Sequence, residues 1–342
     1  MHATEEAVSH IKALCSIPSP TGFTAVVEKH LMDTLAQMGF EPVHTPKGTV
    51  VCALGGEGNP LLLSAHVDTL GGMVRSIKSS GRLRYTQIGG YNDNAIENEN
   101  CLVHTRGGKT YSGTVQTTKA SSHVYGDTSE MKRSDETLEI VLDEIVHSGE
   151  DVRALGIAAG DFISWDTRTV VTESGYIKSR HLDDKASSGV LLTLARMVKA
   201  GEITLSRSVH LMFTVYEEVG HGASSYLPNN FTDMVAVDMG CVGDDLTCDE
   251  TMVSICAKDS AGPYNYELTN ELITLAKENN LRYAVDIYPR YSSDTATALK
   301  AGLEARHALV GPGVFASHGY ERTHKLGVEN TLNLLAAFIA KK

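Results

Sequence analysis

The sequence predicts an α/β fold interrupted by a small β-rich domain. Three observations predict it. Segments with apolar residues at helical spacing alternate with short apolar strands in two parts of the chain, through residue 68 and again from 167. Between them, from 69 to 166, that alternation gives way to short β-like pieces separated by Gly, Asn and Ser turns. The apolar strands also end in acids or histidines. The clearest case is FTVYEEVG at 213–220, where the apolar run Val209–Val215 delivers Glu217 and Glu218. An unpaired carboxylate inside a protein costs several kcal/mol. The pair is therefore either a solvated loop start or a functional device in which one acid holds metal and its neighbour moves protons.

Residues 5–14 fit a first helix, ended by the loop IPSPTG at 17–22. A second starts near Thr24, with Val27, Leu31, Leu35 and Met38 on one face and Gly39 as its stop. Thr49–Leu54 and Leu61–Ala65 read as strands, the second ending in His66-Val67-Asp68. An imidazole at a strand tip with an acid two positions on suits a metal ligand and its polar anchor. A lone histidine is more often structural. In the β-rich stretch, Met73–Ile77, Leu83–Gln87 and Leu102–Thr105 are strand candidates, with LEIVLDEIV alternating at 138–146 and a helix only over Ser148–Leu155.

The α/β pattern resumes at Tyr176–Lys178, which leads into His181-Leu182-Asp183-Asp184-Lys185. A helix follows with Val190, Leu191, Leu194 and Val198, stopping near Gly201. Val235–Val237 is a further strand, ending in Asp238. Helices are expected at Tyr266–Glu278, Thr295–Lys300 and Val328–Ala340. Ser292-Ser293-Asp294 before the second of these reads as a helix N-cap. The glycine-rich stretch 311–324 carries His318 and His324.

A chain of 342 residues, 42% hydrophobic, is long enough for one large domain or two. Its net charge of −12 argues against nucleic acid as a partner. No apolar run approaches the roughly 20 residues of a membrane span, and acids stand in the first segment where a signal peptide carries basic residues. The expectation is a cytoplasmic protein without membrane contact. The six cysteines, 15, 52, 101, 241, 248 and 256, form no CxxC pair and read as buried thiols.

Four apolar strands are thus expected to end in metal-binding groups: His66, the Asp183 region, Glu217 with Glu218, and Asp238. Open α/β sheets bind ligands at the carboxyl ends of their strands, so these groups could converge with His318. Two histidines and three or four carboxylates suit a pair of Zn, Co or Mn ions, whereas an all-oxygen set would suit Mg or Ca. One carboxylate must bridge metals held about 3.5–4 Å apart. Such a pair polarises a carbonyl and acidifies a bridging water, while a carboxylate outside the ligand set shuttles the proton.

These residues resemble metallopeptidase family forty-two, the tetrahedral (TET) and glutamyl aminopeptidase group of the dinuclear-zinc exopeptidase clan. The matching stretches are PSPTG at 18–22, SAHVDTLGGMV at 64–74, IGG at 88–90, LGIAAGDF at 155–162, HLDDKASSGV at 181–190, YEEVGHGAS at 216–224, VAVDMG at 235–240 and SH at 317–318. They run in the family's order over nearly the whole chain.

The resemblance implies a three-layer α/β/α catalytic domain, 1–68 plus 167–342, with an inserted barrel-like oligomerisation domain at 69–166. It implies that Asp183 bridges two metals, that His66 and Asp238 complete one site, and that Glu218 and His318 complete the other. Glu217 would be general base and acid, and Asp68 would orient His66. The family's last histidine is followed by Ser-Pro and an acid; here the run is His318-Gly319-Tyr320-Glu321-Arg322-Thr323-His324. His318 falls where the family's histidine does, after the glycine-rich strand, and His324 stands as the alternative. His181 is a candidate for substrate contact or for a structural role. As an alternative to the N-cap, the resemblance implies that Ser292-Ser293-Asp294, with Arg290 and Tyr291, lies near a substrate cleft.

The implied activity is metal-dependent release of N-terminal residues from short peptides, by a homo-oligomer for which a tetrahedral dodecamer is favoured. A deacylase or carboxypeptidase of the same clan would share the metal set. A glycoside hydrolase also uses paired carboxylates, but that chemistry leaves the histidines unexplained. A non-catalytic assembly or binding protein is the remaining alternative.

Overall fold

In a computed structural model that describes residues 3–224 and 230–340, the strand Leu61–His66 is buried at every position. Its side chains divide the core. Leu61, Leu63 and Ala65 pack on one side with Leu211, Phe213, Val235 and Val237. Leu62 packs on the other with Met212 and Met234. Successive strand residues point to opposite faces, so a nearly continuous apolar run is what a sheet covered on both faces requires.

Among the described residues the sheet has nine strands, and eight of them lie in the order Val43–His44, Val50–Gly55, Val209–Thr214, Leu61–His66, Asp233–Val237, Arg306–Val314, Val253–Lys258, Tyr283–Ile287. The short ninth strand, Gly240–Cys241, pairs with Arg306–Val314. Leu61–His66 runs parallel to both its neighbours, with Thr214 opposite His66 and Ala236 opposite Ser64. The residues that follow Thr214 and Val237 therefore leave the sheet beside His66, at one edge. Helices Ala3–Cys15, Ala25–Gln37, Leu182–Lys199, Tyr266–Glu278 and Lys325–Ile339 all contribute to the larger core. Helix Asp294–Lys300 joins the smaller one through Ala298.

Between residues 71 and 165 six strands close into a barrel, in the order Gly71–Ile77, Leu83–Ile88, Leu138–Leu142, Thr110–Thr117, Asn100–His104, Phe162–Trp165. Its interior has its own cluster, including Val74, Tyr85, Val103, Val115, Ile140 and Trp165. The helix Gly149–Ala154 starts on a capping box formed by Ser148 and Asp151. The cysteines are all free, and all but Cys241 are buried. Among the described residues no helix is long and apolar enough to cross a membrane.

Three features differ from the sequence reading. The strand Tyr176–Ser179 belongs to a separate three-stranded sheet with Val170–Val171 and Glu321–His324. Asp183 thus reaches the site from the irregular start of a helix rather than from a tip of the main sheet. The strands Val253–Lys258 and Tyr283–Ile287 were not legible, because their apolar runs are short and are interrupted by Ser254 in the first and Asp286 in the second. Glu217–Val219 forms a 3-10 turn beyond its strand, entered through Tyr216 at φ 76°.

Glycine sets one close approach. A Cβ at Gly311 would lie 1.5 Å from the main-chain oxygen of Asp238, so the end of Asp233–Val237 can approach Arg306–Val314 this closely only over a residue without one. Gly311→Ala must push backbone aside and is expected to cost about 1–3 kcal/mol, as overpacking does. Urea unfolding measures it, and a midpoint equal to that of the parent would contradict this contact.

Candidate metal centre

Each residue singled out as a ligand is delivered by a different piece of backbone. His66 ends its strand. Its N–H donates to Asp184 Oδ2 at 3.2 Å, and its carbonyl accepts from Ser188 Oγ at 2.9 Å. The start of helix Leu182–Lys199 thereby fixes the strand tip. Asp183 and Asp184 have non-helical backbone angles, and the peptide between them is cis. Asp238 follows Val237. Glu218 lies in the 3-10 turn after Val209–Thr214, and His318 lies in the loop after Arg306–Val314.

The structure brings these side chains together in two groups, His66 with Asp183 and Asp238, and Asp183 with Glu218 and His318. Within each group the candidate ligand atoms lie within 4.8 Å of one another. Asp183 belongs to both. Its Oδ1 is 3.0 Å from His66 Nε2, and its Oδ2 is 3.2 Å from His318 Nε2. Glu218 Oε2 is 3.6 Å from the same His318 nitrogen.

The histidine rings are oriented for ligation. His66 Nδ1 donates to the main-chain oxygen of Asp68 at 3.0 Å. His318 Nδ1 donates to the Gly90 carbonyl, which belongs to the barrel segment. A carbonyl can only accept, so both bonds put the proton on Nδ1 and turn Nε2 toward Asp183. Asp68 orients His66 through its main chain. Its carboxylate instead accepts the N–H groups of Glu217 (3.1 Å) and Glu218 (3.4 Å) and the Thr21 hydroxyl (2.6 Å), and so holds the turn that presents both glutamates. Glu217 stands outside both groups, with Oε2 3.8 Å from His66 Nε2.

Buried negative charge is in excess here. Burial raises Glu217, Glu218 and Asp184 well above the ordinary carboxylate range. Burial and then Asp183 raise Asp238 to about 7. Burial would also raise Asp183, but its bonds to His318 and His66 hold it below the usual range. His318 would be lowered by burial, yet its bond to Asp183 and the charge of Glu218 lift it to about 10. Two imidazoles do not neutralise this many acids. Glu218 Oε1 is buried with no hydrogen-bond partner among the described residues. Mixed nitrogen and oxygen donors, a shared carboxylate and an unpartnered ligand oxygen together fit a pair of divalent cations.

His324 takes no part in either group. It is the N-cap of helix Lys325–Ile339, accepting from Leu326 N, and its Nε2 bonds the Ser174 carbonyl. His181 is buried at φ 65°, and burial lowers its pKa well below the ordinary value.

Three acids were missed as supports. Glu321, 1% exposed, accepts the N–H of His318 (2.9 Å) and of Asp183 (3.0 Å). Its signal was an acid three positions after the last histidine. Asp184 anchors His66. Asp294 accepts from Ala223 N at 2.7 Å and from the Thr214 hydroxyl, bracing the loop beyond Glu218. Ser293 does occupy the N-cap position but makes no side-chain cap bond. Beside the cluster opens a cleft of about 870 Å³ lined by Tyr91, Met239, Tyr288, Arg290, Tyr291 and His318, among others.

The sequence pattern of the M42 glutamyl aminopeptidase family matches residues 48–334. YhfE of Bacillus subtilis (strain 168) is 44% identical over 341 residues, which cover 99% of this chain and 99% of that protein. An aminopeptidase from the archaeon Desulfurococcus kamchatkensis shares the fold with a TM-score of 0.88 at 21% identity, covering 99% of this chain and 96% of that one. The Pyrococcus horikoshii TET1 peptidase, which can assemble into a tetrahedron or a large octahedral shell, does so with a TM-score of 0.86 at 21% identity over 98% and 100% of the two chains.

Glu321→Ala removes one carboxylate that holds the main chain of two candidate ligands. It is expected to weaken metal binding about 10–100-fold, the usual effect of losing an outer support. Competition with a chromogenic chelator measures this, and unaltered affinity would refute the supporting role.

Proposed function

This chain belongs to the M42 glutamyl aminopeptidase family, and from that premise we propose which residues perform its metal-dependent aminopeptidase reaction and on what. The observation that carries the reading is the sharing of Asp183, whose two oxygens face the Nε2 atoms of His66 and His318. Asp183 would be shared by two ions, with His66 and Asp238 holding one and Glu218 and His318 the other. The donor set favours Zn or Co and also suits Mn. When bound, such a pair polarises the scissile carbonyl and makes the attacking water more acidic.

Glu217 is the general base and acid. It lies beside both groups without belonging to either, and its side chain keeps 17% exposure, within reach of a substrate. It takes the proton of the attacking water and returns it to the leaving amine. Asp68 holds Glu217 and Glu218 in register. The acidic wall favours a substrate with a free, protonated N-terminus, and short peptides fit the cleft. The matching family and relatives do not favour the deacylase, carboxypeptidase, glycosidase or non-catalytic readings.

We also propose that residues 69–166 form an inserted domain that drives assembly into a homo-oligomer, a tetrahedral dodecamer being the favoured form. In its support, the similar Pyrococcus horikoshii TET1 peptidase can assemble into a tetrahedron, and the barrel segment exposes Val124 (71%) and Ile145 (92%) to solvent in the single chain. Six free cysteines fit a reducing compartment such as the cytoplasm.

Glu217→Gln should leave the metals bound and lower kcat roughly 10²-fold or more, in line with general-base catalysis. Single-turnover hydrolysis of a free-amine peptide, with metal content measured in parallel, tests this; near-normal turnover would remove Glu217 from the role. Sedimentation at micromolar concentration is expected to give a multimer, and a monomer would overturn the assembly proposal.

A further inference from the structure

Tyr291 stands between the strand Tyr283–Ile287 and the helix Asp294–Lys300. It is held at both ends. Its main-chain oxygen accepts from Ser260 N at 2.9 Å and Ser260 Oγ at 2.6 Å. Its ring meets Tyr288 edge-on at 5.5 Å, and Tyr288 is itself buried and hydrogen-bonded to Ser254. The hydroxyl of Tyr291 is shielded from solvent and lies against Asp238, whose charged form it favours, but no described residue meets it at full hydrogen-bond geometry. The acids that bear on it most are Asp238, Asp183 and Glu217. It lines the same cleft as His318.

Buried polar atoms nearly always have a partner, so an orphan at a reaction centre calls for an explanation. The groups around this one are carboxylates, which accept hydrogen bonds and, on the reading above, hold metal. The phenol adds a donor to a wall of acceptors. What a peptide substrate brings to such a place is a carbonyl oxygen. That oxygen gains negative charge as water adds, and a prepositioned donor is worth most where charge develops.

We propose that Tyr291 is a further catalytic residue whose Oη–H donates a hydrogen bond to the oxygen of the scissile carbonyl as the tetrahedral intermediate forms. The proposal rests on the aminopeptidase reading of the same site. The water oxygen bonds to the carbonyl carbon, the π pair moves onto the carbonyl oxygen, and the water's proton goes to Glu217. Tyr291 strengthens its hydrogen bond to that oxygen and keeps its own proton throughout. On collapse the C=O bond reforms, the C–N bond breaks, and Glu217 delivers the proton to the leaving nitrogen.

Tyr291→Phe keeps the ring and its packing and removes only the donor. Four quantities are compared between the metal-loaded parent and the variant: metal content, kcat, KM, and affinity for two probes. One probe is a phosphinic dipeptide mimic carrying tetrahedral oxygens, and the other is the free amino acid product. The expected result is unchanged metal content and KM, kcat lower by about 10²-fold as for loss of one such donor, phosphinate affinity lower by a similar factor, and product affinity unchanged. An unchanged kcat overturns the proposal. So does a parallel loss of KM and product affinity, which would make Tyr291 a pocket wall, and so does loss of metal, which would make it a support for Asp238. If the metal-loaded parent itself cleaves no free-amine peptide, the reading of the whole site fails, independently of the variant.

Discussion

The centre of this molecule is governed by the burial, and then the mutual repulsion, of carboxylates gathered around Asp183. Asp184, Glu217, Glu218, Asp238 and Glu321 are each raised above the ordinary carboxylate range first by burial and further by neighbouring acids. In a low-dielectric interior, unpaired acids are among the costliest arrangements a fold can hold. Two histidines and a set of main-chain N–H groups offset part of that cost. The remainder is what divalent cations would neutralise, and among the described residues Asp183 is the acid that belongs to both candidate groups.

The surrounding architecture meets the demand of holding these groups still. Parallel pairing brings the ends of three strands to one edge, so that the backbone beyond Thr214, His66 and Val237 leaves the sheet side by side. Helix Leu182–Lys199 then grips the tip of the central strand through Asp184 and Ser188. Rigid elements position the ligands, and short irregular turns aim them.

The barrel is part of this centre. Gly90 supplies the carbonyl that orients His318. Arg180, 4% exposed, reaches from the main body to Glu99 of the barrel segment at 3.0 and 2.7 Å, and to the carbonyl of Gly319, next to His318, at 3.3 Å. Arg168 adds a contact to the same Glu99 at 2.8 Å. Removing one partner of a buried ion pair of this kind costs about 3–5 kcal/mol. The loop that carries one candidate ligand is therefore tied to both halves of the molecule, which gives the insert a mechanical link to the chemistry.

By itself the sequence determined the kinds of group and the elements that carry them. Apolar runs of strand length ending in His66, Glu217-Glu218 and Asp238, a helix behind Asp183, and a β-rich interruption were all legible because local periodicity reports burial. Family resemblance added the pairing of those groups. What only the tertiary structure decided lies in contacts between distant segments. Glu321 braces Asp183 from 138 residues away, the Asp68 carboxylate holds the N–H groups of Glu217 and Glu218, and Asp183 arrives from a helix start beside a separate small sheet. Tyr291 was a candidate cleft residue, and only the fold set it beside His318 and under the influence of Asp238 and Asp183. The physical reason is that periodicity records which side of an element is buried. Hydrogen bonds across more than a hundred residues of chain leave no periodic trace, and they exist only once the chain is folded.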